Sequence, residues 1–245
     1  MRAALRLNRA ALRHRAADAP VWLFDLDDTL HDASAWAVDG ISVEMNAYIA
    51  RELGVSAADA DALRRRYWLR YGATLLGLER HHGVGRHHFA AHTHHLPQLE
   101  TSVRGHGPDL TALWRLRGRA VILTNAPRRY AERVLAVLGI RDRFEAVVGI
   151  DDMALFGQLR PKPDARMLRR LAVALGVDLS RCVLVEDALS HAKAARRVGM
   201  GSVWMQRWLG APSAHQPYRY RAMARRPAYV DARIGRLDAL VRRPR

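Results

Sequence analysis

Three aspartates stand almost side by side in the stretch VWLFDLDDTLHDAS, residues 21–34 of the chain. Asp25 and Asp27 are two residues apart and Asp28 follows directly, so their negative charges repel one another. A single Asp would be enough to make a turn or to cap a helix after a strand. Two carboxylates at this spacing, with a third beside them, are typical of a divalent-metal site that keeps one carboxylate for chemistry.

Further polar residues follow other apolar runs of the chain. Thr124 and Asn125 end the run AVILTN, Glu186 and Asp187 end CVLVED, and Lys162 lies in RPKP just before a predicted helix. Together with the aspartates they supply a hard metal site, a nucleophile, a hydroxyl donor and a fixed cation, which are the groups that phosphoryl transfer requires. The structural alternatives are a plain turn for Thr124 and Asn125, a helix cap for Asp187 and an exposed helix start for Lys162.

The net charge of +16 admits a nucleic-acid-binding interpretation. The 40 basic residues are spread along the whole chain, however, and all but Lys162 and Lys193 are arginine. A compositional bias with a solvated basic surface is therefore the preferred interpretation, and nucleic acid is not an expected partner. In a chain that uses arginine almost everywhere, a lysine at position 162 indicates that a compact point charge is needed there.

The apolar runs that carry these residues predict a buried parallel sheet, and helical patterns lie between them. This alternation predicts an α/β fold with a doubly wound, Rossmann-like parallel sheet, in which ligands bind beyond the carboxyl ends of the strands. The predicted helices each precede a glycine, as a left-handed helix end requires. The predicted strands are Val21–Leu26, Ala120–Thr124, Ala146–Ile150, Cys182–Val185 and Ser202–Met205, and the predicted helices are Arg128–Leu138, Asp164–Leu175 and Leu189–Val198.

Residues 32–113 interrupt this alternation with helical patterns only, which predicts an all-helical cap inserted after the first strand and closing over the site. The remaining predicted units are a basic N-terminal tail, residues 1–18, and an α/β core made of residues 19–31 and 114–245. A short strand near Ala228–Val230 and a last helix are expected after position 205. The predicted cap helices are Trp36–Leu53, Ala57–Tyr71, Thr74–His82 and His87–His95.

Four segments, DLDDTL, ILTN, RPKP and VLVEDALSHAKAARRVGM, resemble in order and spacing the four motifs of the haloacid dehalogenase superfamily of phosphohydrolases. The resemblance extends over residues 21–205. It implies that Asp25 is the nucleophile that forms an aspartyl-phosphate and that Asp27 is the general acid and base. It also implies that Thr124 and Lys162 hold the transferring phosphate.

The same resemblance implies Mg²⁺ as the cofactor. The ion would be held by the Asp25 side chain, the main-chain carbonyl of Asp27 and Asp187, with Glu186 close by. A carboxylate that attacks a phosphate dianion is an anion approaching an anion, so a metal and a lysine are needed to screen the approach. A dehalogenase would need neither the metal nor the second carboxylate, so Asp27 argues against that activity.

The insertion resembles the cap of the pyrimidine 5′-nucleotidase branch, which carries a Tyr-Gly-x-Thr-Leu element and an Asn directly after the second-motif Thr. Tyr71, Thr74 and Asn125 match and are expected to bind substrate, whereas His94 and His95 depart from the acidic residue of relatives. The expected partner is a small phosphorylated metabolite, preferably a pyrimidine nucleoside 5′-monophosphate. Two alternatives stay open: a phosphatase or phosphomutase for phosphosugars or phosphoglycolate-like metabolites, and a catalytically idle nucleic-acid-binding scaffold.

Seven of the twelve histidines fall between positions 81 and 95. A zinc or copper site is one interpretation, but no cysteine accompanies them, so sensitivity of the cap to mild acid is the preferred one. The single cysteine suits a reducing compartment, and no apolar run approaches the roughly 20 residues that span a bilayer. A cytoplasmic protein without a membrane partner is expected, and the sequence carries no signal for an oligomeric state.

Overall fold

The computed structural model describes residues 19–209 and 225–241, so the predicted basic tail at residues 1–18 lies outside the described residues. At its centre is a six-stranded sheet in the order β3-β2-β1-β6-β7-β8, and every neighbouring pair of strands is parallel. Helices flank this sheet, and the predicted fold class is confirmed. Its strands are β1 (Val21–Phe24), β2 (Arg119–Leu123), β3 (Ala146–Val148), β6 (Cys182–Glu186), β7 (Gly201–Met205) and β8 (Ala232–Ile234).

Local sequence explains where the helices begin and end. The clearest case is the helix after RPKP, because the Asp164 carboxylate accepts hydrogen bonds from the backbone of Arg166 and Met167 and Gly176 closes the other end in the left-handed region, at φ 67°. The described helices are α1 (Ala37–Leu53), α2 (Ala57–Tyr71), α3 (Thr74–His82), α4 (Arg86–Thr93), α5 (Leu99–Ser102), α6 (Gly107–Arg115), α7 (Arg128–Val137), α8 (Ala165–Leu175) and α9 (Leu189–Arg197).

The inserted helices have a small core of their own. Side chains of α1 to α4, among them Tyr48, Tyr67 and Phe89, pack together in a cluster apart from those on the two faces of the sheet, and Ile150 and Leu159 from outside the insertion join it. Helices α2 and α3 approach so closely that a Cβ on Gly77 would lie 2.2 Å from Cγ of Tyr67. This contact explains a glycine in the middle of α3, where glycine otherwise weakens a helix.

The end of the insertion is tied to its beginning. His31 and Gly105 form an antiparallel bridge, and the Asp32 N–H donates to the Arg104 carbonyl at 3.3 Å. Helix α6, which the sequence assigned to the cap, packs against the turn at Leu237–Leu240 near the end of the described chain. Its residue Asp109 accepts hydrogen bonds from Arg207 and from the Leu237 N–H.

Two predictions for the C-terminal region are wrong. The strand expected near Ala228–Val230 is β8 at Ala232–Ile234, because a hydrogen bond from the Val230 N–H to the Pro227 carbonyl closes a turn there instead. The expected last helix is a single 3-10 turn at Leu237–Leu240 within the described residues. A two-stranded antiparallel hairpin, β4 (Ala154–Leu155) with β5 (Gln158–Leu159), was not predicted, since its strands are too short to show alternation.

Within the described ranges, every helix falls short of the length and apolar character needed to cross a bilayer.

Candidate active site

The central position of β1 brings the candidate site together. Phe24 lies opposite Ile122 of β2 and Val185 of β6, so the residues that follow these three strands are neighbours at one edge of the sheet. The Asp25 N–H donates to the Val185 carbonyl at 3.0 Å, which continues the pairing by one residue and fixes the direction of the Asp25 side chain. The parallel topology therefore places the candidate nucleophile at the point where ligands bind in such sheets.

Lys162 lies between two carboxylates. Its Nζ donates to Asp25 Oδ1 and to Glu186 Oε2, both at 2.7 Å. The lysine is 1% exposed and Glu186 is fully buried, so these charge-assisted bonds act where water screens them little. The pKa of Lys162 is raised above its ordinary value because the attraction of the two carboxylates outweighs the effect of burial, which acts in the opposite direction.

The remaining negative charge is not balanced by protein groups. Burial, followed by repulsion from Glu186, raises the pKa of Asp25 well above its ordinary value in spite of Lys162. Burial and repulsion from Glu186 and Asp25 raise the pKa of Asp187 in the same way. Burial also opposes ionisation of Glu186, but Lys162 and His191 lower its pKa well below the ordinary value. A site of this kind favours a further positive charge.

Three carboxylates are placed to hold a metal ion. Asp25, Glu186 and Asp187 each offer an oxygen within 4.8 Å of the others, and among residues 19–209 and 225–241 this is the only such group of acidic, histidine or cysteine side chains. Hard oxygen donors of this type suit Mg²⁺ better than zinc or copper. The donor set and its uncompensated charge thus fit the ion that the sequence implied.

Asn125 positions Lys162 through the backbone. Its Oδ1 accepts the Lys162 N–H at 2.9 Å, and its Nδ2 donates to the Lys162 carbonyl at 3.0 Å. Both atoms of the amide are therefore used by the loop that carries the cation. Thr124 is buried at the end of β2, where its Oγ1 accepts the Ala126 N–H at 3.0 Å and its side chain lines the cavity described next.

A cavity of about 270 Å³ opens over the strand ends. Its floor includes the predicted residues Asp25, Asp27, Thr124, Asn125, Lys162, Glu186 and Asp187. Its roof comes from the inserted helices and is largely apolar, with polar groups from Ser42, Arg64 and Thr74. The roof also includes Val38, Ile41, Met45, Trp68, Leu75 and Phe89.

Of the two substrate-binding residues predicted in the insertion, only Thr74 lines the cavity. Its hydroxyl donates to the Arg64 carbonyl at 3.2 Å. Tyr71 lies outside the cavity, in a separate depression beside the RPKP loop, and its hydroxyl is 2.6 Å from His81 Nε2. A cation that the sequence analysis did not single out, Arg64, lines the cavity and is held by Asn46 and Asp61.

Asp27 has two partners that the sequence analysis also missed. His31 Nε2 lies 2.9 Å from Asp27 Oδ1, and the Tyr130 hydroxyl donates to the same oxygen at 3.0 Å. His31 stands only four positions after Asp27 in the opening motif, so the spacing could have drawn attention to it. Tyr130 is 103 residues away, on a helix whose rotation the sequence does not set. The neighbouring Asp28 has φ 57° and accepts bonds from Ser34, as a residue that shapes the loop would.

The histidine-rich segment forms hydrogen bonds with tyrosines. The Tyr48 hydroxyl lies 2.7 Å from His88 Nδ1, and the Tyr67 hydroxyl lies 2.7 Å from His82 Nε2. No group of described residues that includes a histidine has the close spacing of a metal site. The described part of the chain therefore does not support a zinc or copper site there.

Comparison with known proteins places this site in a family. A family model described as a haloacid dehalogenase-like hydrolase matches residues 21–199. Over 197 residues the chain is 27% identical to a phosphoglycolate phosphatase of Rhodospirillum rubrum, an alignment that covers 75% of this chain and 78% of that protein. It is 36% identical over 95 residues to a fructose-1-phosphate phosphatase of Escherichia coli, covering 39% of this chain and 48% of that protein. The chain thus matches about half the length of the Escherichia coli relative.

The fold has counterparts among solved structures. A HAD phosphatase from Thermococcus onnurineus superposes with a TM-score of 0.58 at 21% identity, covering 91% of this chain and 95% of that one. At this level of identity the likeness concerns the fold alone.

Proposed function

The chain belongs to the haloacid dehalogenase-like hydrolases, and we propose that within this family it hydrolyses phosphomonoesters through an aspartyl-phosphate on Asp25. The observation that carries the proposal is the contact of Lys162 with both Asp25 and Glu186 at 2.7 Å, beside a trio of carboxylates. A buried cation next to a carboxylate nucleophile is what an attack on a phosphate dianion requires. The second carboxylate, Asp27, supplies the acid–base group that ester hydrolysis needs in addition.

In the first step, an oxygen of Asp25 forms a bond to phosphorus while the bond from phosphorus to the ester oxygen breaks. The leaving oxygen takes the electron pair of that bond and receives the proton of Asp27. Lys162 stays bonded to Asp25 and keeps the carboxylate oriented toward the phosphate. Thr124, buried at the floor of the cavity, contributes a hydroxyl to the phosphoryl oxygens.

In the second step, Asp27 takes a proton from a water molecule as the water oxygen forms its bond to phosphorus. The bond between phosphorus and Asp25 breaks, its electrons return to the Asp25 carboxylate, and inorganic phosphate leaves. Asp27 thereby regains the proton that it gave to the alcohol, so the two steps form a closed cycle.

Mg²⁺ fits the acidic trio as the cofactor. Asp25, Asp187 and the main-chain carbonyl of Asp27 would hold it, with Glu186 beside them, and when bound it would supply positive charge against the phosphoryl oxygens. The raised pKa values of Asp25 and Asp187 are consistent with this assignment, because a cation favours the ionised form of both carboxyls.

The substrate that the cavity supports best is a nucleoside 5′-monophosphate with a pyrimidine base. The roof is apolar and includes the rings of Trp68 and Phe89, which suit the flat face of a base. Arg64 can donate to base or ribose oxygens, and Thr74, whose proton goes to the Arg64 carbonyl, can accept from a ribose hydroxyl. Tyr71, which lies outside the cavity, is not part of this proposal.

A second candidate is a phosphosugar or a phosphorylated two-carbon acid. It is supported by the relatives named above, which act on fructose 1-phosphate and phosphoglycolate. A smaller substrate of this kind would leave part of the apolar roof without contacts. This difference makes the two candidates separable by a direct comparison of substrates.

The experiment is a measurement of phosphate release from UMP and CMP beside AMP, GMP, fructose 1-phosphate and phosphoglycolate, with Mg²⁺ and with chelator. The Asp25→Asn variant is run alongside, with Asp178→Asn as the matched control, because Asp178 does not line the cavity. We expect metal-dependent release that is highest for UMP or CMP and that falls by at least about 10⁴-fold in Asp25→Asn only. Highest activity on the sugar or acid substrate would replace the nucleotide assignment and leave the mechanism intact. Undiminished activity in Asp25→Asn would contradict the mechanism itself.

A further inference from the structure

Asp27 is held on one side only. Its Oδ1 lies 2.9 Å from His31 Nε2 and 3.0 Å from the Tyr130 hydroxyl, while its Oδ2 accepts no hydrogen bond from the described residues. His31 is 0% exposed and Tyr130 is 1% exposed, and neither lines the cavity. Asp27 itself lines the cavity and keeps 30% of its side-chain surface exposed. The two buried groups thus stand behind the carboxylate and leave one oxygen to the substrate.

Both partners are donors to that oxygen. The Tyr130 hydroxyl lies 3.0 Å from Asp27 Oδ1, an oxygen that can only accept when the carboxyl is ionised, so the hydroxyl is the donor. His31 Nδ1 is buried and has no hydrogen-bond partner in the described part of the chain, which is the environment of a bare ring nitrogen. The ring proton therefore belongs on Nε2, the atom that faces Asp27.

Two donors on one oxygen determine where a carboxylic acid can carry its proton. A carboxylate oxygen has two lone pairs in the plane of the group, and at Oδ1 an N–H and an O–H already use them. A proton on Oδ1 would point at one of these hydrogens and break its bond, leaving a buried donor unsatisfied. A proton on Oδ2 disturbs neither bond. The acid form of Asp27 therefore presents its O–H to the cavity.

The two donors come from rigid and separate parts of the chain. The backbone of His31 is fixed by its bridge to Gly105, and its ring lies 6.0 Å from that of Trp36. Tyr130 is on α7, and its ring meets that of His94 edge-on at 5.8 Å. Each donor is thus held in place by contacts with other parts of the chain, as a preorganised acid–base group requires.

We propose that His31 and Tyr130 are positioning residues that keep Oδ1 of Asp27 as an acceptor, so that Oδ2 alone gives the proton to the leaving oxygen and takes it from water. The inference rests on the proposed function, in which Asp27 is the general acid and base. It adds two residues that do not touch the substrate and assigns the two oxygens of Asp27 different tasks.

The test uses esters whose leaving groups differ in their need for a proton. An alkyl phosphate releases a strongly basic alkoxide, whereas p-nitrophenyl phosphate releases a stable phenolate that can leave without protonation. The quantity to compare is kcat/KM, since it reports the first step and not the release of inorganic phosphate from Asp25. Tyr130→Phe, His31→Leu and the double variant are measured, with His31→Gln as the conservative change, because its amide N–H can reach the position of Nε2.

We expect Tyr130→Phe and His31→Leu each to lower kcat/KM for the alkyl ester about tenfold, and the double variant about 100-fold. For the aryl ester the loss should stay below about threefold in every variant, and His31→Gln should recover most of the activity on the alkyl ester. Tyr48→Phe is the matched control, because it also removes the hydroxyl of a buried tyrosine that bonds a histidine outside the cavity. It should leave kcat/KM unchanged for both the alkyl and the aryl ester.

Equal losses on the two esters would overturn the inference, because a structural defect does not distinguish leaving groups. A further large loss when Tyr130→Phe is added to Asp27→Asn would overturn it as well, since positioning has no effect once the acid is absent. Tyr130→Phe removes one oxygen without changing the shape of the ring, so the test stands even if His31→Leu fails to fold. Wild-type protein that hydrolyses neither ester would refute the proposed function, and the inference with it.

Discussion

Lys162 neutralises two buried carboxylates at once, and this double contact limits which cation the position accepts. An ammonium is small and places its donors around one nitrogen, so it can reach Asp25 and Glu186 from a position that is 1% exposed. A guanidinium is planar and larger, and it presents its donors as a fork. Substitution by arginine therefore keeps the charge and loses the geometry.

We expect Lys162→Arg to lower kcat by at least about 100-fold with Mg²⁺ present, because the guanidinium cannot bond both carboxylates in the space of the ammonium. Lys193→Arg is the matched control, since Lys193 is the only other lysine of the chain and lies over the ring of Tyr229, outside the cavity. Steady-state kinetics on the preferred substrate is the measurement. Activity of Lys162→Arg within threefold of the wild type would show that charge alone is sufficient there.

Among single residues, the sequence predicted the members of the candidate site that directly follow a strand. Asp25, Thr124, Glu186 and Asp187 could be grouped because parallel strands end at a common edge, and the structure places them around one cavity. His31, Tyr130 and Arg64 could not be grouped in this way. Their positions depend on the path of a loop and on how two helices are rotated about their axes. A periodic sequence pattern predicts which face of a helix is buried, but it does not predict which residues that face contacts.

Among the elements, the segment that returns from α6 to β2 is held by one buried arginine. Arg143 is fully buried, and its guanidinium donates to the carbonyls of Leu113, Leu116 and Gly118. Burial lowers its pKa to about 10, so it stays charged at neutral pH. These carbonyls belong to the chain just before the second strand, so the arginine fixes the strand whose end carries Thr124.

We expect Arg143→Met to lower the free energy of unfolding by about 2–4 kcal/mol, because methionine fills part of the space but leaves three carbonyls without this donor. The control is Arg170→Met, since Arg170 is exposed on α8, and a change within about 0.5 kcal/mol is expected there. Urea denaturation followed by circular dichroism measures both. Equal stability of the two variants would mean that the carbonyls find other donors.

The predictions of secondary structure failed for short strands. The hairpin β4–β5 has two residues in each strand, too few for alternation to be visible, and β8 is displaced by the turn that precedes it. The predicted cap boundary at residue 113 falls inside the helix at Gly107–Arg115, and that helix packs against the turn at Leu237–Leu240, outside the insertion. We propose that the cap is better described as ending near Gly105.

For the molecule as a whole, His94 makes the free energy of unfolding depend on pH below neutrality. Burial lowers the pKa of His94 to about 4, and the carboxylates of Asp27 and Asp151 offset this only in part. Between pH 6.5 and 4 the unfolded chain therefore binds a proton at this residue and the folded chain does not. Stability rises with pH when the unfolded state binds more protons, so this contribution is present above pH 6.5 and is lost on acidification toward pH 4.

We expect the free energy of unfolding to fall by up to about 1.4 kcal/mol per pH unit in this window because of His94 alone. His94→Phe should reduce the slope by that amount, while His95→Gln, at the exposed neighbouring position, should leave it unchanged. Urea denaturation at a series of pH values provides the measurement. Parallel curves for wild type and His94→Phe would show that His94 titrates alike in both states.

The bridge between His31 and Gly105 has a consequence for how this architecture can be rebuilt. Because the two ends of the insertion meet there, a segment of any length can be spliced between them without pulling the first two strands apart. Gly105 marks the lower junction, since a Cβ at that position would lie 2.9 Å from the side chains of Leu110 and Leu138. The inserted cap can therefore be exchanged at this junction. Chimeras that retain His31 and Gly105 should keep the arrangement of the residues at the strand ends, and the new cap should change which substrate is bound.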